Sequence, residues 1–116
     1  MFNFFKKKVV TENQDYFSVN NLKSLAIQAH KEYIDETTTE LIDMIKFWIK
    51  RKAKEGKYQW STQTLCEREF KVFYSSITID EWENFINTLR NTFNEIRIST
   101  SVNNKYWIDF DWSGDE

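Results

Sequence analysis

From Ile96 to Trp112 the sequence reads IRISTSVNNKYWIDFDW, and apolar residues alternate with polar ones on both sides of an Asn–Asn pair. Period-two alternation is the pattern of a half-buried strand, and two such runs around a turn make a hairpin. Matching faces chooses the register. A two-residue turn at Asn103 and Asn104 sets Val102, Thr100 and Ile98 against Lys105, Trp107 and Asp109, which mixes apolar with charged. A three-residue turn over Asn103, Asn104 and Lys105 sets Val102 against Tyr106, Thr100 against Ile108, Ile98 against Phe110 and Ile96 against Trp112. A slip of one residue moves every side chain to the opposite face, so the pattern selects the second pairing. Asn tolerates the left-handed backbone that such a turn needs. The other face then carries Arg97 opposite Asp111 and Trp107 opposite Ser101.

Upstream the period changes to that of a helix. Ser18 is a capping residue, with Phe17 and Leu22 at the spacing of a hydrophobic staple. Leu22, Leu25, Ala26, Ala29, Tyr33 and Ile34 then recur at helical intervals. Thr37, Thr38 and Thr39 weaken a helix through their branched β-carbons, and Thr37 with Glu40 has capping-box spacing. One long helix and a pair broken at about 35–38 therefore both fit. Leu41, Ile45, Trp48 and Ile49 share the next face and predict burial there, and Phe47 is read with Trp48 and Ile49 as continuing the buried stripe. RKAKEG follows, with cations in the last turn and Gly56 as the stop.

KYQW, at 57–60, predicts a short strand. Residues 62–75 fit a helix through Leu65, Cys66, Phe70 and Phe73, capped by Thr64 and Glu67, and fit a strand through Phe70, Val72 and Tyr74; helix is the preferred reading. Over 78–95, Thr78 and Glu81 form a capping box ahead of one apolar face: Trp82, Phe85, Ile86, Leu89 and Phe93.

A chain of 116 residues holds one domain with a modest core, and 17% aromatic content builds that core around Phe and Trp. With no proline and two glycines, little material is left for structureless linkers. The organisation read from this is an N-terminal arm over 1–17 and a single α+β domain over 18–116. The lone cysteine, Cys66, makes no intramolecular disulfide, which suits a reducing compartment. No apolar run approaches the ~18 residues of a membrane span, and MFNFFKKKVV carries its charges after its apolar residues, the reverse of a secretory signal. A cytoplasmic protein with no membrane partner is the expectation.

Residues 46–57 carry six Lys or Arg and one Glu, a net +5 against an overall −2, so the rest of the chain sums to −7. The negative end of a helix dipole favours such cations. Lys46, Lys50, Lys54 and Lys57 also fall on one helical stripe and form the candidate nucleic-acid contact. Phe2, Phe4 and Phe5 in the arm, and Trp107 on the hairpin face away from the core, are the candidate contacts for a protein partner. Catalytic chemistry has little to build on. His30 and Cys66 are single residues outside any nucleophile signature, and two soft ligands do not make a zinc site. No glycine-rich phosphate loop is present. No catalytic residue, metal or cofactor is predicted, and the acidic end (Asp109, Asp111, Asp115, Glu116) reads as solvated.

The order of helix, short strand, two helices and hairpin resembles the winged-helix arrangement over about residues 40–112, with KYQW as first strand and IRISTSVNNKYWIDFDW as the wing. That resemblance implies an α+β fold with a long N-terminal helix or helix pair, central helices and a C-terminal β-hairpin. A winged helix that reads DNA offers its third helix to the major groove. Here that helix presents Asp80, Glu81 and Glu83, with Arg90 as its cation and Lys105 at the wing tip, the wrong charge for phosphates. The chain is also similar to small uncharacterised phage proteins in which a long charged helix ends at Gly-x-Tyr and a hairpin closes on Trp; Gly56, Tyr58, Ile108 and Trp112 hold those places. Together these readings predict a non-enzymatic protein-interaction module, a phage-encoded accessory protein that modulates host or defence functions or serves in assembly. It would act in the bacterial host cytoplasm, on another protein or as a homo-oligomer. The alternative is a nucleic-acid-binding protein using 46–57.

Overall fold

The computed structural model describes residues 17–114, so Phe2, Phe4 and Phe5 lie outside the described residues. The chain divides into two units, Met1–Asp35 and Glu36–Glu116. One helix, α1, runs Val19–Lys54 without a break, which decides between the two readings of this region. Each threonine at 37–39 costs a few tenths of a kcal/mol in propensity, roughly 0.5. Breaking the helix there would orphan up to eight backbone groups and require a new nucleus, which costs more.

In the first unit, Ser18 caps the helix as its type predicts. Its Oγ accepts from the Asn21 N–H at 3.2 Å and its carbonyl from the Leu22 N–H at 3.0 Å. From Val19 to Glu32 every residue of α1 is exposed, and the apolar stripe read from the sequence gains no burial there. The C-terminus of α1 closes in a Schellman arrangement. Gly56, at φ +86°, donates to Ala53 O at 3.0 Å, and Lys57 N donates to Lys52 O at 3.0 Å.

In the second unit, Leu41 and Ile45 of α1 enter a core shared with β1 (Gln59–Ser61), α2 (Glu67–Ser76), α3 (Ile79–Thr92), β2 (Arg97–Thr100) and β3 (Ile108–Asp111). The fold is α+β, and its three antiparallel strands lie in the order β1-β3-β2. The hairpin register agrees with the face-matching argument: Arg97 pairs with Asp111, Ile98 with Phe110 and Thr100 with Ile108. Past the strands, Ser101 N still bonds Trp107 O at 3.1 Å. Val102, expected on the core face, is 95% exposed. The turn closes through Trp107 N to Asn104 O at 3.0 Å, which leaves Val102 on a loop outside the ladder.

The helix reading of 62–75 also holds, with a different start. Thr64 does not cap α2; its hydroxyl donates to Ser61 O at 2.9 Å. The helix begins after Cys66, whose φ of 69° is the left-handed turn that redirects the chain. α3 has the full capping box: Glu81 N donates to Thr78 Oγ1 at 3.1 Å, and Thr78 N donates to Glu81 Oε1 at 2.9 Å. Aromatic rings dominate the interior. Phe73 meets Phe85 edge-on at 5.1 Å, Trp82 lies 5.2 Å from Phe85, and Trp60 stacks on Phe110 at 5.5 Å.

Trp48 and Ile49, predicted as core, are half-buried. The last turns of α1 pass the rim, where the Trp48 indole meets Phe47 at 5.0 Å and Arg51 at 5.7 Å. The one buried polar side chain among the described residues is Thr62, at 0% exposure. Its hydroxyl donates to Tyr106 O at 2.9 Å and accepts from Ile108 N at 2.9 Å, so it continues the β1–β3 ladder after β1 ends.

Phe73→Ala, in the closed core, should cost about 3–5 kcal/mol in urea unfolding, and Trp48→Ala, at the rim, about 1–2 kcal/mol. Thr62→Val keeps the shape but strands the buried Ile108 N–H and the part-buried Tyr106 carbonyl. It should cost about 1–3 kcal/mol, with Thr62→Ser losing less, as read by the shift in unfolding midpoint.

Candidate functional site

Three surfaces concentrate chemistry. The first is the exposed face of α1 in the second unit. Leu41 and Ile45 point one way, and helical geometry turns Glu40, Asp43, Phe47, Lys50, Arg51 and Lys54 the other way, where all six are exposed. Phe47 stays 55% exposed although it is a large apolar residue. With Lys50, Arg51, Lys54 and Glu55 it lines a shallow depression of about 470 Å³. Lys46 is exposed beside this face. Lys57, predicted on the same stripe, is not on it: the helix ends at Lys54 and the Schellman turn carries Lys57 toward the sheet.

The second surface is the outer face of the sheet. Alternation places Gln59, Asp111 and Arg97 in one row across the strands, and Ser61, Asp109 and Ser99 in the next. These residues, with Lys52, Lys57 and Thr64, line an open groove of about 510 Å³. The Asp111 carboxyl is held below its ordinary range by the Ser113 backbone N–H at 2.9 Å, then by the Ser113 hydroxyl, with Arg97 adding a smaller pull. Cations and carboxylates are interleaved, so the groove presents no field of a single sign. Neither histidine nor cysteine lines it.

The third is the region of Trp107. The sequence places this residue on the face away from the core and offers it as an exposed anchor. It is half-buried, and its indole N–H donates to Glu67 Oε2 at 2.7 Å while its ring meets Tyr106 edge-on at 6.2 Å. Glu67, read as a capping-box partner of Thr64, therefore serves a residue forty positions away. Next to it, the Cys66 thiol is half-buried rather than enclosed. Burial pushes its pKa up, the Glu69 carboxylate pushes the same way, and a hydrogen bond with Trp48 opposes them. An activated nucleophile needs the opposite shift. His30 is exposed in the first unit and stacks near Tyr33 at 6.5 Å.

Among the described residues no group of three or more His, Cys, Asp or Glu side chains is placed to hold a metal ion. No described helix is long and apolar enough to cross a membrane. Comparison of the chain with protein-family models, curated proteins and solved structures gives no match. Sequence reasoning named the cations of the helix face but passed over Phe47 as a core residue. The signal was present: Phe47 lies two positions after Ile45, on the far side of the helix.

The raised thiol pKa has a direct consequence. The rate of Cys66 alkylation by iodoacetamide should rise with a midpoint above that of a free cysteine thiol, and that midpoint should fall to the free value in urea. A midpoint below the free value in the folded protein would mark an activated thiolate.

Proposed function

We propose that this chain is a non-enzymatic protein-interaction module whose contacts lie along α1. The observation that carries the reading is the uncovered apolar stripe of the first unit: Leu22 and Leu25 are 42% and 43% exposed, with Ala26 and Ala29 exposed beside them. Val19, at 65% exposure, borders the same stripe, while Ile27, at 70%, lies on another side of the helix. An exposed apolar stripe on a helix is the form in which a groove or a second helix reads apolar residues at i, i+3, i+4 and i+7, here Leu22, Leu25, Ala26 and Ala29. Contiguous apolar surface of this kind marks an interaction site more often than it occurs idly. Phe2, Phe4, Phe5 and Trp107 are the further contacts suggested by sequence. The Trp107 indole nitrogen is occupied by Glu67, so that residue would offer its ring face.

The second unit supports a winged-helix-like description through its order of helix, β1, α2, α3, β2 and β3 with β3 central. DNA reading through α3 gains no support: Arg90, its cation, donates through Nη2 to Ile98 O at 3.3 Å, and Asp80 and Glu83 are exposed at its N-terminal end. Nucleic-acid binding through Lys46, Lys50, Lys54 and Lys57 is the second reading, favoured by exposed Phe47 as a stacking surface. It is weakened because Lys57 faces Asp109 and Asp111 in the sheet groove, and Glu40 and Asp43 share the helix face. The Gly56, Tyr58, Ile108 and Trp112 pattern supports a phage-encoded accessory role, in host or defence modulation or in assembly, in the cytoplasm of a bacterial host.

The test is affinity capture from a bacterial lysate followed by mass spectrometry, comparing the native chain with Leu22→Glu/Leu25→Glu. A defined set of proteins should be retained by the native chain and lost from the variant, with far-UV circular dichroism unchanged. Retention of the same set by the variant would remove the stripe from the reading.

A further inference from the structure

We infer that the exposed face of α1 between Glu36 and Lys54 is a two-fold self-association surface, and that its occupant is a second copy of this chain running antiparallel. The inference rests on the order of charges about Phe47, not on the apolar stripe of the first unit, and it goes beyond the protein-interaction reading.

Along this face three carboxylates, Glu36, Glu40 and Asp43, precede Phe47, and three cations, Lys50, Arg51 and Lys54, follow it. All are exposed. Within one helix the order is unfavourable. Glu36 and Glu40 stand at i, i+4, Glu40 and Asp43 at i, i+3, and Lys50 and Lys54 again at i, i+4, so like charges are neighbours. Alternating signs would stabilise an isolated helix; here the two blocks are interrupted only by Lys46, beside the face and three residues after Asp43, and by Glu55, paired with Arg51. The helix dipole accounts for the cations in the last turn but not for the carboxylates, which lie four turns and more from the N-terminus at Val19. Among the described residues Glu40, Asp43, Lys50 and Lys54 have no ion-pair partner; Arg51 and Lys52 each reach Glu55 at 3.5 Å on the helix's own last turn.

A two-fold axis beside Phe47, perpendicular to the helix, sets opposite signs against each other for Glu40, Asp43, Lys50, Arg51 and Lys54, while Glu36 comes level with Tyr58, beyond the helix end. Asp43, four residues before Phe47, comes level with Lys50 and Arg51 of the second copy. Glu40, seven residues before, comes level with Lys54, seven residues after. Phe47 meets the Phe47 of the second copy, and the depression of about 470 Å³ beside it gives the incoming ring a place to lie. Such an interface is isologous, with each patch its own complement. A parallel pairing would set carboxylate against carboxylate and cation against cation, so the charge order also selects the direction. The acidic half opposes the other occupant this face invites, a phosphate backbone.

Sedimentation velocity on the whole chain, at low and high salt, tests the inference with two variants: Glu40→Lys/Asp43→Lys and Lys50→Glu/Lys54→Glu. The native chain should form dimers at low salt that dissociate as salt rises, since exposed pairs are screened. Each variant alone should weaken dimerisation by about tenfold or more, because attraction is replaced by repulsion across the axis. An equimolar mixture of the two should recover the dimer, because each supplies the half the other has lost; recovery also shows that both variants fold. Leu22→Glu/Leu25→Glu should leave the dimer intact, which separates this surface from the stripe in the first unit. A native chain that stays monomeric throughout, a dimer that neither variant weakens, or a mixture that stays monomeric would each overturn the inference. So would salt-sensitive retardation of a labelled single-stranded oligonucleotide by the native chain, abolished by Lys50→Glu/Lys54→Glu and strengthened by Glu40→Lys/Asp43→Lys. That result would assign the face to nucleic acid.

Discussion

The hydroxyl of Thr62 is the point on which the sheet turns. It lies at 0% exposure, donates to Tyr106 O and accepts from Ile108 N, each at 2.9 Å, while its own N–H donates to Ile108 O at 3.0 Å. A buried hydroxyl without partners would cost more than an apolar residue in its place; with both lone pair and proton used, it extends β1 by one residue at the strand's weakest end. The opposite end is held in a similar way. Trp112 N donates to Tyr58 O at 2.9 Å and its indole to Lys57 O at 3.1 Å. β1 is only three residues long, too short to hold a register by ladder bonds alone, and these flanking bonds fix it against β3.

What could be read in advance was what short-range chemistry decides. Thr78 and Glu81 are three residues apart and bond each other; Gly56 supplies a positive φ where the helix must stop; Ile98 and Phe110 face each other because the alternative buries charge. Thr64 and Glu67 have the same three-residue spacing as a capping box, yet they separate. Glu67 is drawn to a tryptophan forty positions on, and no local rule contains that competitor. Thr62 was invisible for a related reason. In STQT it looks like any loop threonine, and only the approach of residues 106 and 108 gives its hydroxyl a purpose. Trp48 and Ile49 continue an apolar stripe in sequence, but how far a core extends along a helix depends on what packs against it.

The exposed helix face was half legible. Its cations stood out as a basic island, and dipole physics explained them well enough to close the question. Of the carboxylates preceding them, only Glu36 belonged, on the sequence, to a stretch that could have been separate from the helix of the cations. A break at 35–38 would leave Glu40 and Asp43 in one helix with Lys50 and Lys54, so their phase follows from either reading, and only the place of Glu36 depends on the continuity of α1.

The strand order has a consequence for how the molecule comes into being. Among the described residues β1 and β2 have no bond to one another, since each pairs with β3 alone, and β3 follows both in sequence. During vectorial synthesis the helices can form as they appear, but β1 waits through some fifty residues with both edges open. Among the described residues, none of the sheet pairings can form in a fragment that stops before Ile108. Closing that sheet is a single late event, and it joins segments distant in sequence, the kind of contact that slows folding. The short length of β1 then has a second value: an unpaired edge of three residues offers a poor template to the edges of other nascent chains.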